Sequence, residues 1–204
     1  MQIHRLVVGP IETNCYILAD EEKNAIIVDP GDEADVIQDF LKRGGIKIKE
    51  ILLTHTHYDH IGAVNALMES GNATLKVAAE EGDWLSNPGK NLSLILGGTS
   101  GIANSADMLK DGDTVGFGSL AMKVIHTPGH TPGGLCFYHP EGHLFSGDTL
   151  FKDGIGRTDF PGGNYLQLVD SIRNKLFILP GDTKVYPGHG PFTDIAAEMQ
   201  GNRF

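Results

Sequence analysis

The seven residues Thr54-His55-Thr56-His57-Tyr58-Asp59-His60 place three imidazoles and one carboxylate directly after the apolar run Ile51-Leu52-Leu53. Such a run reads as a buried strand, and side chains two apart on an extended segment point the same way. His55 and His57 can therefore share one metal. Asp59 and His60 follow as the chain turns into the apolar-periodic segment Ile61 to Met68, so they emerge in another direction from nearly the same place, within reach of a second metal. Nitrogen and oxygen donors without thiolate suit Zn, Fe, Mn or Co, and ligand type alone does not choose among them. A loop of solvated histidines is the competing reading, and the density of the cluster counts against it.

Three further ligand-type residues each sit just past an apolar segment, inside a Gly/Pro-rich turn. They are His130 in Thr127-Pro128-Gly129-His130-Thr131-Pro132-Gly133, Asp148 in Ser146-Gly147-Asp148-Thr149, and His189 in Tyr186-Pro187-Gly188-His189-Gly190-Pro191. Small residues beside a ligand let the backbone turn sharply and bring the side chain close to a shared point. Any one of these motifs reads equally well as a structural turn, whereas the four together point to one metal centre.

The rest of the chain supplies strands and helices to carry them. Ile3 to Val8, Cys15 to Leu18 and Ala25 to Val28 read as a β-meander, and Val36, Ile37, Phe40 and Leu41 give a helix ending at Gly44-Gly45. A strand over 48–53 precedes the histidines. The pattern then predicts a helix from Ile61 to Ser70 closed by Gly71, a strand from Leu75 to Ala78, a short acidic helix from Glu80 to Leu85, and a loop from Asn87 to Asp107 with at most one helical turn. Hairpin turns at Asp111-Gly112-Asp113-Thr114 and Phe117-Gly118-Ser119 introduce strands at Leu120 to Ile125, Leu135 to Tyr138 and His143 to Phe145. A helix from Asn164 to Leu179 leads to a last core strand, Lys184 to Tyr186. Each half runs from a meander to strands ending in ligands, which predicts two similar βα halves facing one another.

The 204 residues suit one well-buried domain spanning 1–204. A formal charge of -10 and a pI near 5.2 argue against nucleic acid or an anionic membrane as the main partner. The first ten residues lack a signal-peptide core and no apolar run reaches membrane-spanning length, so the expected location is the cytoplasm. No obligate protein partner is evident. Cys15 and Cys136 lie in strand-like segments outside any CxxC and read as small buried hydrophobes. His4, His139 and His143 read as surface or strand-end residues, and His126 as a core-edge residue.

In this order, THTHYDH, PGHT, GDT and PGHG resemble the metallo-β-lactamase superfamily of dinuclear hydrolases, and the resemblance covers essentially the whole chain. It implies an α/β fold, a four-layer αβ/βα sandwich, holding two divalent metal ions, with zinc expected and iron or manganese as alternatives. Residue by residue, it implies His55, His57 and His130 for the first metal, Asp59, His60 and His189 for the second, and Asp148 as the bridge. Asp59 would also orient the attacking hydroxide shared by the two metals, and Asp29 in Val28-Asp29-Pro30-Gly31 would support the site by hydrogen bonding.

Within the superfamily the pattern resembles glyoxalase II, the hydroxyacylglutathione hydrolases, and especially their short bacterial relatives. Asp148 stands where metallo-β-lactamases carry a zinc-binding Cys, and His57 where flavodiiron proteins carry Glu. Full-length glyoxalase II adds a C-terminal helical domain to the glutathione site. Here fifteen residues follow His189, so any glutathione subsite is expected to be smaller or differently built. Arg157 stands where glyoxalase II has a glutathione-contacting Lys, and a guanidinium can hold a carboxylate bidentately. The implied reaction is hydrolysis of a small-molecule thioester such as S-lactoylglutathione. A thiolate leaves without a proton donor, and no Ser, Tyr or Lys is evidently placed as one. The Gly156-Arg157-Thr158-Asp159-Phe160 run also resembles mononuclear-iron persulfide dioxygenases, which keeps that chemistry as an alternative beside a non-catalytic metal-binding module.

Overall fold

The computed structural model describes residues 1–70, 72–97 and 105–202. The amino-terminal half contributes β1 (Gln2–Val8), β2 (Thr13–Ala19), β3 (Asn24–Val28), α1 (Ala34–Gly44), β4 (Lys47–Leu52), α2 (Tyr58–Ile61), α3 (Val64–Ser70), β5 (Thr74–Ala78), α4 (Ser93–Leu96) and β6 (Ala106–Leu109). Its six strands form one sheet in the order β1-β2-β3-β4-β5-β6, antiparallel at the meander and parallel from β3 onward.

The second half contributes β7 (Thr114–Val115), β8 (Met122–His126), β9 (Leu135–His139), β10 (His143–Gly147), β11 (Leu150–Phe151), β12 (Gly154–Ile155), α5 (Tyr165–Ser171), β13 (Lys184–Pro187), β14 (Thr193–Asp194) and α6 (Ile195–Gly201). A second six-stranded sheet runs β14-β13-β10-β9-β8-β7, while β11 and β12 pair as a separate small hairpin.

Strand alternation assigns the layers. Along β2, Cys15, Ile17 and Ala19 enter the core beneath α1 and α3, while Tyr16 and Leu18 enter a second core between the sheets. In β9, Phe137 joins that central core, whereas Cys136 faces outward to a third core with Leu168 and Ile172 from the α5 region and Ile195 of α6. Both faces of each sheet are thus covered, which explains strands such as β2 that are buried throughout. The result is the αβ/βα sandwich expected from the two-halves pattern.

Several expected elements differ. The helix predicted from Ile61 is split, because Gly62 and Ala63 donate their N–H groups to the carbonyls of Gly31 and Pro30 instead of continuing one helix. Its predicted end at Gly71 lies outside the described residues. The acidic helix is one 3-10 turn, Ala79–Glu81. The predicted 87–107 loop contains α4 and leads into β6, an edge strand. The Asp111 turn therefore joins the two sheets instead of closing a hairpin, while the turn at Phe117 does connect β7 to β8. The 164–179 helix begins at Tyr165, capped by the Asn164 side chain, and widens to a π turn over Ile172–Leu176. A final helix, α6, was not evident in the periodicity.

The parallel topology positions the site. The carboxyl ends of β3, β4, β8, β10 and β13 deliver Asp29, the His55 loop, the His130 loop, Asp148 and His189 to one edge of the sandwich, where open α/β sheets present ligands. No helix among the described residues is long and apolar enough to cross a membrane.

Candidate metal centre

All seven ligand-type residues meet at that edge. Nε2 of His55 and Nε2 of His130 each lie 3.1 Å from Nδ1 of His57. On the adjoining side, Nε2 of His60 and Nε2 of His189 lie 3.3 and 3.2 Å from Oδ2 of Asp59. Asp148 stands between the sets, with Oδ1 3.5 Å from His60 and Oδ2 3.7 Å from His130 and 3.6 Å from His189.

Hydrogen bonds behind the ligands fix which ring nitrogen faces inward. Nδ1–H of His130 donates to the Arg157 carbonyl at 2.7 Å, and Nδ1–H of His189 to the Ile11 carbonyl at 3.1 Å. Nδ1–H of His60 donates to Asp29 Oδ2 at 3.0 Å. Thr54 Oγ1 donates to the same carboxylate at 2.6 Å, leaving a lone pair for Nδ1–H of His55 at 3.2 Å. Each of these four rings thus turns its Nε2 lone pair into the site. Asp29 also accepts from Thr54 N at 2.8 Å, with its own backbone at φ 51.

Electrostatics divides the sets. Burial, then the neighbouring imidazoles, hold His55 and His57 well below the ordinary imidazole value. Burial also opposes charge on His60, but Asp59, Asp148 and Asp29 outweigh it and raise its value. His189 is likewise raised against burial by Asp59 and Asp148. The Asp59 carboxyl is driven down, burial being outweighed by His60 and His189. One set is therefore built from imidazole nitrogens alone and the other is a mixed nitrogen and carboxylate set. His57 Nε2, His60 Nε2 and Asp148 Oδ1 are buried without a hydrogen-bond partner in the protein. Three ligand groups, His55/His57/His130, His55/His60/Asp148 and Asp59/His60/His189, each bring their donor atoms within 4.8 Å of one another. Nitrogen and carboxylate donors converging in this way fit divalent cations.

The surrounding chain is built to the same end. Gly188 packs so closely that a Cβ would run into Asp148 Oδ1. Asn14 Nδ2 and the Tyr16 hydroxyl donate to the Pro187 carbonyl at 2.9 and 2.7 Å, holding the His189 turn. Thr13 Oγ1 donates to Asp59 Oδ2 at 3.2 Å. Glu81 is fully buried and accepts from Thr56 N, Thr56 Oγ1 and Gly133 N at 2.8, 2.7 and 2.8 Å. It ties the His55 loop to the His130 loop. Nothing in the spacing distinguished Glu81 from Glu80 beside it. His126 braces the His130 loop from outside, with Nε2–H donating to the Pro132 carbonyl at 2.9 Å.

A cleft of about 540 Å³ opens over the centre. Besides ligands, it is lined by Ile11, Tyr58, Leu92, Leu96, Phe151, Ile155, Arg157 and Phe160. Tyr58, which the spacing did not single out, is among them. Arg157 reaches the cleft as expected, but its side chain is already engaged. Its Nε and Nη2 donate to Asp159 at 2.8 and 2.7 Å, and its guanidinium lies 3.9 Å over the Phe160 ring. Cys15 and Cys136 are buried free thiols, the latter pushed up to about 11 by burial. His139, at the end of β9, is buried with Nε2 donating to the Ser119 carbonyl at 2.8 Å.

The profile of the Metallo-beta-lactamase superfamily matches residues 8–189. The chain belongs to this superfamily. It is 40% identical over 206 residues to the probable metallo-hydrolase YqgX of Bacillus subtilis, covering 100% of this chain and 97% of that protein. It is 35% identical over 207 residues to hydroxyacylglutathione hydrolase GloC of Haemophilus influenzae, covering 100% and 98%. Among solved structures of the superfamily fold, BLEG-1 B3 metallo-beta-lactamase superimposes with TM-score 0.93 at 42% identity, covering 98% of this chain and 97% of that one. TTHA1623 in a di-iron-bound form gives 0.88 at 32%, covering 98% of each. ETHE1 from Myxococcus xanthus gives 0.83 at 32%, covering 99% of this chain and 83% of that one.

Proposed function

We propose that this chain is a two-metal thioester hydrolase acting on S-2-hydroxyacylglutathione substrates such as S-lactoylglutathione. The observation that carries the reading is the convergence of a three-imidazole set and a mixed set on either side of Asp148. In this reading His55, His57 and His130 hold one cation, Asp59, His60 and His189 the other, and Asp148 both. Bound divalent cations supply Lewis acidity and bring the pKa of water toward neutrality. The likeness to GloC supports the thioester assignment, and the di-iron form of TTHA1623 supports iron beside zinc as a candidate metal.

The chain's own residues contribute positioning and proton handling. Asp59 faces the cleft with Thr13 and His189 on its Oδ2, where its carboxylate would accept a hydrogen bond that orients an attacking water. The Nδ1–H bonds of His55, His60, His130 and His189 keep their Nε2 lone pairs directed inward. Ile11, Leu92, Phe151 and Phe160 line the cleft with apolar surface that excludes competing water from an acyl chain. A glutathione thiolate, with a pKa near about 8.5, departs without a donor.

Two observations support other chemistries. The Gly156 to Phe160 run, which resembles that of mononuclear-iron persulfide dioxygenases, favours oxygen-dependent persulfide chemistry at a single iron. Tyr58 in the cleft and the likeness to BLEG-1 favour β-lactam amide cleavage, where a leaving amine needs a proton. Purified protein assayed with S-lactoylglutathione, glutathione persulfide and a cephalosporin separates the three. The thioester reading requires the first to be turned over with the highest kcat/KM and without oxygen uptake, and it fails if either of the others is preferred.

A further inference from the structure

The segment Gly156 to Phe160 touches both the metal centre and the cleft mouth through side chain and backbone alike. The Arg157 carbonyl accepts from His130, and the Phe160 ring meets His57 edge-on, with centroids 5.8 Å apart at 82°. The backbone of Arg157 is therefore pinned, and only its side chain is free to choose partners. That side chain is the only Lys or Arg lining the cleft among the described residues. Its forked edge, Nε and Nη2, is occupied by both oxygens of Asp159, while its flat face rests on Phe160. A substrate carboxylate can take that same forked edge, which offers two parallel N–H donors.

We propose that Asp159 is a specificity-determining residue: an internal carboxylate that competes with substrate carboxylates for Arg157 and so limits how strongly the cleft favours anionic thiols. The pair is 58% and 65% exposed on its two side chains. An ion pair that open to solvent is worth little by itself, so an incoming carboxylate can displace Asp159 and pays a small penalty for doing so. Phe160 holds the guanidinium in place during the exchange, and the backbone bond from His130 need not move. The arrangement differs from a vacant cationic pocket, which would take every carboxylate at full strength. It rests on the thioester reading only for the choice of probe.

The test is calorimetric binding of S-methylglutathione, which carries no thioester and reports on the cleft whether or not the protein hydrolyses anything. The control ligand is its dimethyl ester, in which both carboxylates are masked. Metal-loaded wild type, Asp159→Asn, Arg157→Ala and the double variant are compared. Asp159→Asn should tighten the acid relative to the ester by about three- to five-fold, the size expected of an exposed charge pair, and that gain should vanish when Arg157 is also replaced. Metal content and thermal unfolding should match wild type, since neither side chain is buried. An unchanged acid-to-ester ratio in Asp159→Asn overturns the proposal. So does a gain that persists in the double variant, which would come from the lost negative charge at large and not from Arg157. Absence of binding to any of the four proteins also overturns it, because the cleft would then not take a carboxylate of this class. Failure of the thioester reading itself would appear separately, as absent turnover of S-lactoylglutathione alongside intact binding.

Discussion

Replacing Glu81 by Gln should weaken both the fold and the metal centre, although the change removes no ligand and preserves side-chain shape. Oε2 accepts two donors from Thr56 and Oε1 accepts one from Gly133, all within 2.8 Å and all buried. A carboxamide has one acceptor oxygen. If that oxygen serves Thr56, the amide nitrogen faces the Gly133 N–H, donor against donor. If it serves Gly133, two donors on Thr56 are orphaned. The better arrangement still loses one charge-assisted bond and buries one unpaired donor, about 2–3 kcal/mol in all. For a chain of this size that is a fall in melting temperature of roughly 5–10 °C. Because Glu81 joins the two loops that carry His55, His57 and His130, affinity for the first cation should fall about 10- to 100-fold, as for other groups that orient ligands. Thermal unfolding followed by circular dichroism, with and without chelator, and a zinc competition titration measure the two effects. A melting temperature within about 2 °C of wild type in both states would refute the bracing role.

Asp148→Asn should lower metal content and turnover together, because one negative charge between two cations is lost. Two bound metals with full activity in that variant would remove Asp148 as the bridge. Asp29→Asn places an amide donor against either the Thr54 N–H at Oδ1 or both the His60 N–H and the Thr54 hydroxyl at Oδ2, so metal affinity should fall about 10- to 100-fold with the fold intact; equilibrium dialysis reads it, and unchanged affinity contradicts the role. The metal-free protein should lose stability as pH falls below 6.5, the ordinary imidazole value, because the unfolded chain then binds protons that folded His55 and His57 refuse. His60 and His189 act oppositely: their raised values contribute stability that is present below 6.5 and lost as pH rises through their folded values. Melting of chelated protein across about pH 5–9 should therefore show a maximum, and a flat profile would contradict both assignments.

The ligand-type residues were legible in two ways: His55, His57, Asp59 and His60 by their density after an apolar strand, and His130, Asp148 and His189 because each follows a strand beside a Gly, where residue type and chain reversal coincide. The two facing halves were legible because each runs from a meander to strands ending in ligand-type residues, whereas the division of β2 between two cores was not, since the strand is buried throughout. What stayed hidden depends on distant contacts. Glu81 reads as part of a short acidic helix until Thr56 and Gly133 are seen to fold around it. The break between α2 and α3 is made by backbone carbonyls of Pro30 and Gly31, some thirty residues upstream, and has no local breaker beyond Gly62. Strand β6 exists because β5 offers it an edge, and its own sequence, Ala106-Asp107-Met108-Leu109, carries little alternation. Arg157 was placed correctly at the cleft, but its engagement by Asp159 depends on side-chain direction, which residue spacing does not determine.

The central claim is most directly tested by titrating chelated, metal-free protein anaerobically with zinc or ferrous iron while following S-lactoylglutathione hydrolysis. The account predicts activity that reaches its plateau at two metal equivalents per chain. Full activity at one equivalent, or no thioester cleavage at any stoichiometry, would contradict it.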